Sequence, residues 1–197
     1  MSKSELLEFI HKKKIIKASE ALDFLSDNKE LSRMNERGEI YQLGGGLYSS
    51  LSIDPEVAAL LAITKYYPNA VISRSSALRV HELGDEKIRK VHIDIPNNQS
   101  IRNELVETHR VAEKFITDVI QYEYFGYKLR VYSEVRSLYE ALKEYGESHE
   151  YFKAIKRYVE KHKADNSLKA RKLKKLDQLF NKNISGAIAQ EVSDDFF

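Results

Sequence analysis

The sequence predicts an α+β protein: an N-terminal winged helix-turn-helix, then a mixed α+β domain, then a C-terminal helical hairpin. Three observations carry this. The first fifty residues read, in order, as helix, short strand, helix, helix and hairpin. The middle of the chain mixes alternating, strand-like runs with short helical ones. The final third has apolar residues at helical spacing on a strongly basic background. The boundaries that follow are 1–52, 53–146 and 147–197, the last ending in the acidic tail "EVSDDFF".

Leu6, Leu7 and Ile10 recur at helical spacing, so Ser4 to about Lys13 reads as a helix. Ile15 to Lys17 is β-branched and short, a small strand. Ala18, Ala21, Leu22 and Leu25 follow the spacing of an amphipathic helix. Asp27 with Glu30 forms a capping pair that opens a third helix, ending near Gly38. "EIYQL" and "LYSSLSI" are strands joined by Gly44, Gly45 and Gly46. Asp54-Pro55 restarts helical structure, with Asp as N-cap and Pro at the first helical position. Val57, Leu60, Leu61 and Thr64 give that helix a buried face, and Pro68 ends it. Ala70 to Ser73 reads as a buried strand and "SSALRVHEL" as a short helix. "KVHIDIP" and "LVETHRVA" alternate as strands, and "VIQYEYFGYKLRVYS" as a hairpin around Gly126. Glu134 to Tyr145 is helical. Beyond it, Tyr151, Ile155, Tyr158 and His162 share one helical face, "ADNS" at 164–167 is a turn, and Leu173, Leu176 and Phe180 share a second face.

Composition excludes several classes. Hydrophobic residues at 42% and charged residues at 31% describe a globular chain. No apolar run approaches the roughly 20 residues of a membrane span, and the N-terminus lacks the apolar core of a secretory signal. There is no cysteine, which excludes disulfides, thiolate catalysis and cysteine-ligated zinc, and suits a reducing cytoplasm. Net charge is only +2, but its distribution is uneven. Residues 1–50 carry eight basic and eight acidic side chains, whereas Lys153 to Lys175 holds ten Lys or Arg.

The triple glycine distinguishes a phosphate loop from a hairpin. A phosphate loop needs a helix N-terminus directly after it, and the P-loop also needs Lys then Ser or Thr. Here Leu47 and Tyr48 follow, and no helix starts until Asp54. A hairpin tip needs positive φ, which glycine adopts without steric cost. The spacing therefore predicts a turn.

On the third helix Leu31 and Met34 face inward, which places Lys29, Ser32, Arg33 and Glu36 outward, the face that enters the major groove in helix-turn-helix docking. Arg33 is placed to contact guanine bidentately or a phosphate, Lys29 a phosphate, and Ser32 either. Asn28, Asn35 and Arg37 flank the face. Glu36 either accepts from cytosine N4 or belongs to a solvated face. Tyr41 and Tyr48 flank the hairpin and either pack on the core or reach a phosphate. Lys12, Lys13 and Lys14 complement a helix C-terminus or touch backbone phosphate. Lys169, Arg171, Lys172, Lys174 and Lys175 form a second basic surface, for nucleic acid, for an acidic partner, or simply as a solubilising face. No catalytic constellation is legible, so no enzyme is expected. The six histidines lack the i, i+4 spacing of a zinc helix, so neither metal nor cofactor is expected.

"LSRMNERGEIYQLGGGLYSS" resembles the end of the winged-helix domain of AbiEi-family proteins, the antitoxin and transcriptional-regulator component of bacterial type IV toxin–antitoxin systems. Gly38, Ile40 and Gly46-Leu47-Tyr48 carry that likeness. "AVISRSSALRVHEL" is similar to the family's strand and Ser-Ala-Leu helix, "KVHIDIP" to its next strand, and "SEVRSLYEAL" to its Arg-Thr-Leu segment. The likeness spans roughly residues 1–145. Gly45 stands where the family often has a basic residue, and Ser137 and Glu140 stand where it has Thr and Asp. The resemblance implies a cytoplasmic antitoxin that represses its own promoter, as double-stranded DNA with inverted repeats, and counteracts a nucleotidyltransferase-like toxin without a stable complex. The alternatives are a winged-helix regulator without a toxin, or a protein-interaction module that uses its basic C-terminal hairpin.

Overall fold

The computed structural model describes residues 3–25, 27, 29–162, 174, 177–178, 181 and 183–194. It is a mixed α+β structure with two sheets, of three and five strands. Among the described residues, no helix is long and apolar enough to cross a membrane.

The N-terminal unit runs α1 (Lys3–Lys13), β1 (Ile15–Lys17), α2 (Ala18–Ala21), α3 (Lys29–Glu36), β2 (Ile40–Gly44) and β3 (Leu47–Ser50). Its sheet has the order β1-β3-β2, antiparallel throughout. Leu6, Ile10, Ile16, Ala21, Leu31, Met34, Ile40 and Tyr48 form its core. Lys14 ends α1 in the left-handed region (φ 64°), its N–H donating to the Ile10 carbonyl at 2.7 Å. The second helix is shorter than its apolar spacing predicts. It stops at Ala21, whose carbonyl takes the N–H groups of both Phe24 and Leu25, and Leu22 is left 48% exposed.

α4 (Pro55–Tyr66) begins as the sequence predicts, with the Asp54 carboxylate accepting from the Glu56 and Val57 N–H groups. It is apolar nearly all round, as a helix between two layers must be. Val57, Ala58 and Ala62 pack with Ile15, Leu47 and Ile53, while Leu60 and Ile63 pack into the second sheet. The expected boundary at 52/53 is therefore crossed by a shared apolar cluster. Lys65 Nζ and the Tyr66 hydroxyl both donate to the Ile15 carbonyl, at 2.8 and 3.2 Å.

The second unit continues with β4 (Val71–Ile72), α5 (Arg74–Val80), β5 (Val91–Pro96), β6 (Val106–Val111), a 3-10 turn at Glu113–Phe115, β7 (Val119–Tyr124), β8 (Tyr127–Tyr132) and α6 (Glu134–Tyr145). Strand order is β6-β5-β4-β8-β7. β5 and β6 are parallel, as are β4 and β8, and the other pairs are antiparallel. α7 (His149–His162) packs on α6 and α8 (Ile184–Asp194) packs on α7, in one cluster that includes Tyr151, Ala154, Ile155, Tyr158, Ile184 and Ile188. The C-terminal helices thus share a core with the middle of the chain across the expected 146/147 boundary. The turn expected at 164–167 and the face of Leu173, Leu176 and Phe180 lie outside the described residues.

Candidate nucleic-acid interface

α3 is strongly amphipathic. Leu31 and Met34 are fully buried, while Lys29, Ser32, Arg33 and Glu36 are exposed on the other side. Asp27 caps its start, accepting from the Lys29 N–H at 2.9 Å through its carboxylate and from the Glu30 N–H at 3.3 Å through its carbonyl. The Glu30 carboxylate turns along the helix instead of back to the cap. It holds Arg37 at 2.6 Å and Arg33 at 3.4 Å. A basic pair three and seven residues on attracts it more strongly than one neutral N–H.

The exposed face is thus neutralised in part. Arg37 also meets Glu39 at 2.9 Å, and Glu39 meets Lys3 at 2.6 Å. The Arg37 hydrogen bond holds the Glu30 carboxyl below its usual range, and the same bond raises Arg37. Surface pairs of this kind contribute little to stability; their effect is to orient the guanidinium groups. Arg33 remains 63% exposed at the side chain, against 44% for Arg37, so Arg33 is the freer of the two.

The other expected contact residues divide. Asn35 is committed to structure: its Oδ1 accepts from the Gln42 N–H at 2.8 Å and ties α3 to β2. Tyr48, expected either in the core or at a phosphate, is 5% exposed and packs in the core of the N-terminal unit. Of its two expected roles it takes the first, because β3 is the central strand of its sheet. Asn28, Lys169, Arg171, Lys172 and Lys175 lie outside the described residues, and Lys174 is exposed. Of the three lysines that close α1, Lys13 pairs with Glu20 at 3.6 Å and Lys14 with the Ser52 hydroxyl at 3.0 Å.

The triple glycine turns the β2–β3 hairpin, with φ of 106°, 58° and 71° at Gly44, Gly45 and Gly46. Its tip lies against the second unit. The Gly45 N–H donates to Glu104 Oε1 at 3.0 Å. A Cβ on Gly45 would lie 2.3 Å from Asn103 Nδ2, and one on Gly44 would lie 2.7 Å from Glu104 Oε1. A side chain at position 45 would have to displace the Asn103 side chain, which bonds the Tyr67 hydroxyl and the Leu105 N–H, and would sit at positive φ.

A second polar assembly went unread in the sequence. On α6, Arg136 and Glu140 are 1% and 3% exposed and form an ion pair at 2.5 Å. Arg136 also donates to the Phe115 carbonyl and lies over the Tyr132 ring. Ser137 donates back to the Ser133 carbonyl at 2.9 Å, and Leu138 is in the core. The Arg-Ser-Leu segment that carries part of the resemblance is therefore a buried anchor. Next to it, the fully buried Asp94 accepts from Ser73 Oγ at 2.9 Å and from the Tyr132 hydroxyl at 3.1 Å. Burial pushes its carboxyl above the usual range, and nearby Glu140 adds to this.

The same face continues to the β5–β6 edge. His92 Nδ1 lies 3.1 Å from His109 Nε2 and 3.8 Å from Glu144 Oε1, and His92 Nε2 lies 3.9 Å from Glu107 Oε2. Burial, Arg74 and His92 push His109 down to about 4, against the weaker pull of Glu107 and Glu140. The alternation of "VHIDIP" puts His92 and Asp94 on one face, and that of "VETHRV" puts Glu107 and His109 on one face. What unites them is the parallel register His92↔Glu107 and Asp94↔His109, which no local pattern encodes.

In comparisons with known proteins, no family model matches the chain and no curated protein matches it.

Proposed function

We propose that the N-terminal unit is a winged helix that reads duplex DNA, and that the chain is the autorepressor and antitoxin of a type IV toxin–antitoxin operon. One observation carries the DNA-binding reading: the element order α1-β1-α2-α3-β2-β3, closed by a β1-β3-β2 sheet, leaves the polar face of α3 in solvent. In winged helices that third helix lies in the major groove. Arg33 then donates to guanine or phosphate, Lys29 meets phosphate, and Glu36 is an acceptor for cytosine N4. With the hairpin tip against Asn103 and Glu104, affinity rests on α3 and the neighbouring lysines rather than on an inserted wing.

The antitoxin half of the reading rests on the resemblance of residues 1–145 and names a functional partner, a nucleotidyltransferase-like toxin encoded alongside. A mobility shift on the DNA upstream of the chain's own gene, at two salt concentrations, tests the DNA half. Preference for that fragment over a scrambled one, weakening with salt as phosphate contacts require, is the expected result. Equal affinity for both fragments, or for neither, rejects it. Rescue of growth when the neighbouring reading frame is co-expressed tests the toxin half; a non-toxic neighbour leaves a regulator without a toxin.

A further inference from the structure

The β5–β6 edge brings together side chains that the DNA-binding reading does not use. His92 projects from β5, and Glu107 and His109 project from β6. One ligand atom from each of the three can be chosen so that all lie within 4.8 Å of one another. The two ring nitrogens, His92 Nδ1 and His109 Nε2, are 3.1 Å apart. Two nitrogens each about 2.0–2.1 Å from a tetrahedral ion stand roughly 3.3 Å apart, so their separation already matches; the rings, now stacked at 20° with these nitrogens in hydrogen-bond contact, turn to aim both lone pairs at the ion. A fourth donor stands ready on α6: Glu144 Oε1 is 3.8 Å from His92 Nδ1, and its other oxygen is fixed by the Ser75 N–H at 3.1 Å.

The donors reach the site from two sides, the sheet and α6. His92 is only 18% exposed, and its backbone N–H is bound by Ser76 Oγ at 2.9 Å, so its ring rests on an anchored strand. Glu107, 55% exposed, now faces His92 Nε2 at 3.9 Å and swings round toward Nδ1 to join the pair. A cavity of about 750 Å³ opens beside His92 and Glu107; Lys87, Arg89 and Lys90 also line it, so the carboxylates of Glu107 and Glu144 have to outweigh their repulsion of a cation. Two imidazoles with one or two carboxylates make a donor set of nitrogen and oxygen without sulfur, which favours Zn²⁺, Co²⁺ or Ni²⁺ over Ca²⁺ and Mg²⁺.

From this geometry we propose that His92, His109 and Glu107, with Glu144 as the fourth donor, bind one first-row divalent transition-metal ion such as Zn²⁺. Ligation by Glu144 would join α6 to the β5–β6 edge, so the ion acts as a clasp between helix and sheet. The site is independent of the face offered by α3.

The test is titration of the full chain, stripped with chelator, with Zn²⁺ by calorimetry and with Co²⁺ by visible absorption. One ion per chain is expected, with Co²⁺ bands of a tetrahedral nitrogen–oxygen site and a higher melting temperature. His92→Ala with His109→Ala should weaken binding at least tenfold and abolish those bands. Because that pair could disturb folding, Glu107→Gln at the exposed position gives a second reading: it should weaken binding several-fold with an unchanged circular dichroism spectrum. Zn²⁺ and Co²⁺ binding that is absent, or that survives both sets of substitutions, overturns the proposal.

Discussion

The Glu104 carboxylate accepts a hydrogen bond from the Gly45 N–H at 3.0 Å, fifty-nine residues away in sequence. A hairpin tip that would otherwise stand in solvent is thereby fastened to the second unit.

Two glycine substitutions separate backbone strain from this docking. Gly45→Ala and Gly46→Ala both place a side chain at positive φ, at a cost of about 1–2 kcal/mol each. Only Gly45→Ala also drives a Cβ into Asn103, whereas nothing lies within 4 Å of a Cβ on Gly46. Urea denaturation should find Gly45→Ala the more damaging, with Asn103→Ala recovering part of the difference. Equal losses at the two positions would mean that the contact with Asn103 is relieved at no cost.

Arg33→Ala should weaken binding to a specific operator by about 1–3 kcal/mol if the guanidinium reads a base. Tyr48→Phe should leave affinity unchanged, because the ring is buried and 5% exposed. Footprinting and a quantitative mobility shift measure both. An effect at Tyr48 matching that at Arg33 would argue for disturbed folding rather than lost contacts.

The Arg136–Glu140 pair is buried at 2.5 Å. Arg136→Met strands a carboxylate in the core and should destabilise by about 3–5 kcal/mol. Pairing it with Glu140→Met should recover much of that loss, since two apolar side chains leave no uncompensated charge. Chemical denaturation of the two single variants and the double variant closes the cycle; strictly additive losses would show that the two side chains do not act as a pair.

His109 makes stability depend on pH in a known direction. Burial, with Arg74 and His92 beside it, pushes the folded chain's ring down to about 4 from an ordinary 6.5. Between those values the unfolded chain binds a proton that the folded chain does not, so stability falls as pH drops through that window. Urea midpoints at pH 7 and pH 5, in chelator, should differ less in His109→Gln than in the parent. An unchanged difference would place the effect on other groups.

What the sequence made legible follows from periodicity. α1, α4 and α6, the β2–β3 hairpin and the β7–β8 hairpin were readable because the alternation or the 3.6-residue spacing is local. The outward set of α3 was readable for the same reason. The commitment of Asn35 to Gln42, the docking of Gly45 on Asn103 and the burial of Arg136 were not, since each depends on a partner brought in by tertiary packing. The histidine pair is not legible locally: His92 and His109 lie seventeen residues apart and meet only across a parallel strand pair. In α4 the double burial is legible: "VAALLAI" is apolar on every side, the mark of a helix with layers on both flanks.

That double burial of α4 bears on modularity. Val57, Ala58 and Ala62 serve one sheet while Leu60 and Ile63 serve the other, so the first fifty residues are not a portable cassette. Severed ahead of Asp54, they would leave Ile15 and Leu47 bare to water. Transplanted onto a foreign scaffold, they would need a substitute for this helix before they could stand alone.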